Sequence, residues 1–235
     1  MHTTLTIIRY KKRFIPFALL AMALFRWPLW RKKGLHFYKL MGSGRNGSFD
    51  KTPDWQQWAI LVTQEHTDHL PLFIPAQTNG LIKKWLCFFR CEVCTIELIP
   101  IEGHGTWDQK PAFGTLPKSS EYEGPIAVLT RATIRISKLK AFWSSVDQVA
   151  RQMQLAPGFI QSFGIGEVPF IKQATFSIWQ DKSGMKSFAY QMQQHRTVIQ
   201  RTRKENWYSE DLFVRFIPKS VTGTVKGENP LKGIS

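Results

Sequence analysis

The stretch FGIGEVPFIKQATFSIW, Phe163–Trp179, decides the fold because it has a counterpart earlier in the chain, MGSGRNGSFDKTPDWQQWAIL, Met41–Leu61. Each holds a G-x-G pair, a loop, and then a run that alternates apolar and polar residues past a large aromatic. A period of two marks a half-buried strand, and the glycines read as the turn that closes the strand before it. Further out, IPIEGHGTW (Ile99–Trp107) is matched by IPKSVTGTV (Ile217–Val225).

Periodicity fills in the rest. The first half predicts a strand at Thr4–Tyr10, a helix over Phe14–Trp30, and strands at Leu35–Met41 and Trp55–Thr63. A mostly helical stretch over Leu70–Phe89 and a strand at Val93–Ile99 follow. The second half predicts a strand at Pro125–Arg135, a helix at Leu139–Leu155, strands at Phe159–Phe163 and Gln173–Trp179, a helix at Ser183–Arg203 and a last strand at Asp211–Ile217. Two ferredoxin-like βαββαβ repeats in one chain are expected, residues 1–106 and 125–235. The joint, Trp107–Gly124, is rich in Pro, Gly and Ser and reads as a linker across the outside. Each unit makes a sheet with helices on one face only. The bare faces must cover each other, which gives a single barrel-like α+β domain.

Composition narrows the partners. The chain of 235 residues is 43% hydrophobic, with nine Trp and seventeen Phe, enough for a large core or an apolar pocket. Lys and Arg number 32 against 17 acids, a net charge of +15 that favours anionic partners. The basic residues are scattered (Lys11, Lys12 and Arg13; Arg31, Lys32 and Lys33; Arg201, Arg203 and Lys204) and accompany no zinc-finger or RNA-recognition signature. No nucleic acid is therefore expected as a partner, and anionic lipid is the better use of the charge. Three cysteines lying close together make no disulfide framework, which points to the cytoplasm. FIPFALLAMALF, Phe14–Phe25, superficially resembles a secretion signal, but Pro16 interrupts it and about twelve apolar residues are too few to span a bilayer. A buried first helix is expected there.

Several patterns resemble chemical sites. Gly42-x-Gly44-x-x-Gly47 matches a dinucleotide fingerprint, but Ser48–Pro53 cannot open the helix on which such a site depends, so these are read as turn glycines. Cys87-x3-Cys91-x2-Cys94 has the spacing of a radical iron–sulfur enzyme, yet it runs from a helix end into a strand, where thiols are common small core residues. His66 and His69 lack an evident third ligand and read as a solvated turn. That leaves His195, aligned with Met185, Phe188, Met192 and Ile199 on one helical face. Spacing alone favours a core imidazole bonded to a backbone carbonyl.

The runs GIGEVPFIKQATFSIWQDKSGMKSFA, HRTVIQRTRKENWYSEDLFVRF, KLMGSGRNGSFDKTPDWQQWAIL, GTWDQKPAF and PIAVLTRATIRISKLKAFW closely resemble the spheroidene monooxygenase family of carotenoid biosynthesis, from about Thr4 to Pro230. The cysteine trio falls largely outside the strong matches. The resemblance implies a haem protein of the dimeric α+β barrel superfamily, an oxidoreductase that uses dioxygen and an electron donor. It would introduce oxygen at a chain-end methylene of an acyclic carotenoid, hydroxyl first and then ketone. Haem-degrading monooxygenases of the same superfamily are similar in a strand with Trp, an acidic turn and a helix bearing H-x-x-V. The matching residues are Trp179, Asp181 and His195-Arg196-Thr197-Val198, which makes His195 the implied iron ligand, with Trp179 and Arg196 beside the haem.

Oxygen insertion into a C–H bond exceeds what side chains do with dioxygen, so a redox cofactor must carry it. Haem on one imidazole leaves the opposite iron face open. Phe176, Trp179, Phe188, Trp58 and Phe37 are candidate walls of an apolar slot, and equally plain core. Arg196, Arg201 or Arg131 could pair with propionates, or be solvated charges. A carotenoid must be collected from a membrane, and Phe14–Trp30 with Trp27 and Trp30 gives a rationale for peripheral contact with an anionic one. A non-catalytic haem or apolar-ligand carrier on the same barrel, and a radical enzyme built on the cysteines, remain as alternatives.

Overall fold

Alternation turns one side of each strand inward. In the computed structural model, which describes residues 1–45, 52–65, 71–191, 201–202 and 204–232, the strands close into one barrel. They are β1 (His2–Arg9), β2 (Leu35–Gly44), β3 (Pro53–Gln64), β4 (Glu92–Gly105), β5 (Ile126–Ile134), β6 (Phe159–Val168), β7 (Lys172–Trp179) and β8 (Tyr208–Gly223). Their order is β1-β3-β2-β6-β7-β5-β8-β4, and every pairing is antiparallel. The mixed α+β class and the barrel expected from the sequence are both present. Order within each half is the same: β4-β1-β3-β2 in the first and β8-β5-β7-β6 in the second. Inward side chains, among them Leu5, Leu61, Ile96, Leu129, Phe176 and Phe216, form the central core.

Helices cover the outside. α1 (Ile15–Leu24), α2 (Arg26–Arg31) and α3 (Leu81–Phe88) belong to the first half; α4 (Leu139–Gln154) and α5 (Lys182–Lys186) belong to the second. The single helix predicted over Phe14–Trp30 is divided at Phe25, because Pro28 has no amide to offer the Leu24 carbonyl. Its predicted burial is half right. Ala18, Ala21, Phe25 and Leu29 are buried while most of the larger apolar residues face outward. The helix predicted over Leu70–Phe89 is confined to Leu81–Phe88; Pro71, Pro75 and Gly80 keep residues 71–80 irregular.

Two more expectations are corrected. Gly42 and Gly44 do not form a turn. They lie within β2, where Gly42 faces Gly166 and Ser43 faces Ile165 of β6, so the two glycine pairs meet at the seam that closes the barrel. The segment after β4 does not simply cross the outside. Trp107, Ala112 and Phe113 are buried in the central core. Trp107 Nε1 donates to Glu167 at 2.6 Å, and the ring lies beneath the Arg131 guanidinium, 5.6 Å from its centroid. Arg131, Lys39, Lys172, Asp108, Glu167 and Glu210 form an ion network around it at that end of the barrel.

The likeness of IPIEGHGTW to IPKSVTGTV is built as one corner made twice. After β4, Trp107 bridges Lys110, and after β8, Val225 bridges Glu228. Thr106 Oγ1 and Gln109 N donate to Glu210, just as Thr224 Oγ1 and Gly227 N donate to Glu92. Gly105 and Gly223 open the two corners at φ +90 and +87, each so close to the facing strand that a Cβ would lie 2.1 or 2.0 Å from a carbonyl oxygen. Only glycine fits there.

Candidate functional site

Outward-facing residues distinguish the halves. In the first, Gly42 pairs with Trp58 and Leu40 with Ile60, and the three large side chains pack under α1 and α3 with Val62, Phe73 and Leu86. In the second, the equivalent pairs are Gly164 with Thr175 and Ser162 with Ser177. Leu40, Trp58 and Ile60 give way to three hydroxyls, and Ser162, Thr175 and Ser177 are nevertheless buried. Apolar packing divides to either side of this floor. One cluster holds Ile126, Val128, Met153, Trp179, Met185 and Phe188, the other Ile134, Phe142, Trp143, Val146 and Trp207.

The same face continues across β8 and β4. Val128 is paired with Arg215 and Arg215 with Glu102; Thr130 is paired with Phe213 and Phe213 with His104. Thr130 and His104 are exposed, so the face meets solvent there, with His104 stacked 5.8 Å from Phe213. Glu102 is 1% exposed and bonds Arg215 Nη1, Lys182 Nζ at 2.9 Å and the Ser120 amide at 2.6 Å. One carboxylate faces two cations, which leaves a net positive charge in a buried place. Arg215 places Nη2 against Met185 Sδ at 3.9 Å and its guanidinium 4.8 Å from the Phe213 ring. Its Nε finds no hydrogen-bond partner among the described residues, and neither does Thr175 Oγ1. Burial lowers the Arg215 pKa from its ordinary value. An unmet buried donor costs free energy unless a ligand meets it.

A flat floor of small side chains, apolar clusters at both ends and a guanidinium with a free N–H suit a planar, largely apolar group that carries anionic oxygens. On those grounds haem fits the face. Trp179 and Phe188 lie together in its wall, rings 5.4 Å apart, and Trp179 Nε1 donates to Ser177 Oγ at 2.9 Å. His195 and Arg196 lie outside the described residues, as do His66, His69 and Gly47. Asp181, the acidic turn residue, is the N-cap of α5, its carboxylate accepting from Gly184 N at 2.7 Å. That bond and the Ser183 hydroxyl lower its pKa. Gly184 lets α5 approach closely, since a Cβ there would lie 2.9 Å from the Pro157 carbonyl. A π-type turn over Ser187–Gln191 follows.

The other sequence candidates separate. Phe176 and Phe37 point into the barrel, and Trp58 belongs to the first half's outer layer. Arg131 is paired with Glu210 at the barrel end, and Arg201 with Glu205 at 3.1 Å. The cysteines do not converge: Cys87 is exposed, while Cys94 faces the central core. Burial pushes the Cys91 and Cys94 thiols up to about 12, away from the thiolate a metal needs. Among the described residues no cluster of His, Cys, Asp or Glu is placed to hold a metal, and no helix is long and apolar enough to cross a membrane. Sequence reasoning missed Arg215, Glu102, Lys182 and Thr175. One signal was available: a lone arginine inside the apolar strand LFVRFI, Leu212–Ile217.

No family model matches the chain. Among solved structures, a crystal structure of aldoxime dehydratase with butyraldoxime superposes with a TM-score of 0.60 at 9% identity, covering 98% of this chain and 84% of that one, a likeness of fold. Among curated proteins, spheroidene monooxygenase of Rhodobacter capsulatus is 33% identical over 220 residues, 92% of this chain and 89% of the relative. Spheroidene monooxygenase of Rubrivivax gelatinosus is 31% identical over 201 residues, 85% of this chain and 75% of the relative. The chain therefore belongs to the spheroidene monooxygenase family.

Proposed function

We propose that this monooxygenase acts on an acyclic carotenoid, introducing oxygen at a chain-end methylene as hydroxyl and then ketone, with haem held by His195 in the face described above. The names of its relatives support the substrate class. The observation that carries the placement is that Arg215 Nε and Thr175 Oγ1, on one hydroxyl-floored face between two apolar clusters, both find no partner among the described residues. Haem, when bound, supplies the activation of dioxygen that side chains lack, drawing on an external electron donor. The chain's own residues do the rest. Trp179, Phe188 and Met185 exclude water and hold the apolar parts. Arg215, always protonated, offers its Nε–H to an anionic oxygen, and the Thr175 hydroxyl is a second donor on the same floor. Glu102 fixes the guanidinium from behind and is itself held by Lys182. The architecture is read as two ferredoxin-like repeats, residues 1–106 and 125–235, joined through 107–124.

Production in a host that makes acyclic carotenoids, followed by pigment analysis, tests the reading. A keto-carotenoid and a Soret band are expected, and His195→Ala should lose both. A purified protein that never takes up haem overturns the cofactor; one that takes it up and leaves the pigment unchanged overturns the substrate.

A further inference from the structure

The helices over the first half are packed inside out. α1 and α2 bury Ala18, Ala21, Phe25 and Leu29, while Phe17 (43% exposed), Leu20 (48%), Leu24 (39%), Trp27 (58%) and Trp30 (73%) face outward. An ordinary covering helix turns its large apolar residues to the core. Phe88, 80% exposed, continues the surface: its ring and that of Phe17 both lie against Phe89, centroids 4.9 and 4.8 Å away. Contiguous exposed patches of this kind mark interaction sites.

Charge identifies the partner. The surface is bordered by Lys11, Lys12 and Arg13 at one end and Arg26, Arg31, Lys32 and Lys33 at the other, all exposed. None of them forms an ion pair among the described residues, and no Asp or Glu occurs before Asp50. Lys11–Arg13 also stand before the N-terminus of α1, whose first turn has no acidic residue, where the helix dipole disfavours cations. Their placement therefore works against the helix and in favour of something negative outside it. Tryptophans and long cationic side chains ringing an apolar helix are suited to a headgroup layer, the rings at the boundary and the charges among phosphates. We infer that α1, α2 and the end of α3 dock the protein on the surface of an anionic lipid bilayer, lying in its interface without crossing it.

Flotation of the purified full chain with phosphatidylglycerol–phosphatidylcholine vesicles tests this without carotenoid or haem, so its failure leaves the proposed oxidation untouched. The protein should float with these vesicles at low salt, not with pure phosphatidylcholine, and detach as salt rises. Lys11→Gln, Lys12→Gln and Arg13→Gln should each weaken partitioning about fivefold. Leu20→Ser/Leu24→Ser/Trp27→Ser, all at exposed positions, should abolish flotation with unchanged circular dichroism. Absence of flotation on anionic vesicles, or equal flotation by the triple serine variant, overturns the inference. So does a dimer that ignores vesicles and is split by that same variant, since the face would then join two copies of this chain.

Discussion

Replacing Arg215 by methionine separates the two roles a buried guanidinium can have. In Arg215→Met, Glu102 keeps Lys182 Nζ at 2.9 Å and the Ser120 amide at 2.6 Å, so its charge stays matched. The methionine would lie among Met185, Val128 and Phe213, and the unmet Nε would be gone. Exchanging a buried ionic group for an apolar one under such conditions changes stability by about 1 kcal/mol, with either sign allowed. Glu102→Gln is the contrast, because it leaves Arg215 and Lys182 buried together with no carboxylate. Breaking a buried pair in that way costs about 3–5 kcal/mol, a large part of the roughly 5–15 kcal/mol that holds a domain together. Urea unfolding followed by tryptophan fluorescence measures both. On the activity side, losing a hydrogen bond to the anionic group proposed to bind there costs about 1.5–3 kcal/mol, about 10–150-fold in its affinity. Arg215→Met should therefore stay folded and lose the keto-carotenoid product proposed above. If it unfolds as early as Glu102→Gln, or keeps full turnover, Arg215 is a structural charge and the reasoning fails.

Other outcomes follow from the same structure. Gly223→Ala places a Cβ 2.0 Å from the Val93 carbonyl at φ +87, so its urea midpoint should fall well below that of Gly227→Ala; the latter, at φ +80 with no atom within 4 Å, bears only the backbone strain of about 1–2 kcal/mol. Burial raises the Asp108 pKa, but hydrogen bonds from Lys172 and Lys39 outweigh it and hold the carboxyl at about 2. A depressed carboxyl stabilises the fold above its unfolded value of about 3.9. That contribution should fade as pH falls from about 4 toward 2, and an acid titration of Asp108→Asn should show less loss over this range. With iodoacetamide at neutral pH, Cys87 should react first, whereas Cys91 and Cys94 should require unfolding.

Much of the barrel was legible because its signals are local. A two-residue period specifies strands, and the repeated G-T pair specifies corners, without knowledge of what lies opposite. Where a prediction needed the opposite half, it failed. Gly42 and Gly166 read as turns because nothing nearby reveals that they pair with each other. Trp107 and Phe113 read as linker because their burial is supplied by strands of both halves. Of the five aromatics offered as slot wall or plain core, Trp179 and Phe188 line the outer face of the second half, Trp58 lies in the first half's outer layer, and Phe176 and Phe37 are barrel core. A strand's apolar side can face the barrel or the helices, and spacing alone does not say which. Arg215 and Glu102 lie far apart in sequence and acquire meaning only across the pairing of β4 with β8.

The unequal outer faces bear on stoichiometry. A barrel assembled from two identical subunits would carry every cavity twice, since rotation maps one onto the other. Here both corners share their threonine, glutamate and glycine, while Leu40, Trp58 and Ile60 fill one flank and the smaller Ser162, Thr175 and Ser177 floor the other. With the flanks unlike, the haem proposed above would have one such face to occupy, so a haem titration should saturate at a single equivalent for each polypeptide.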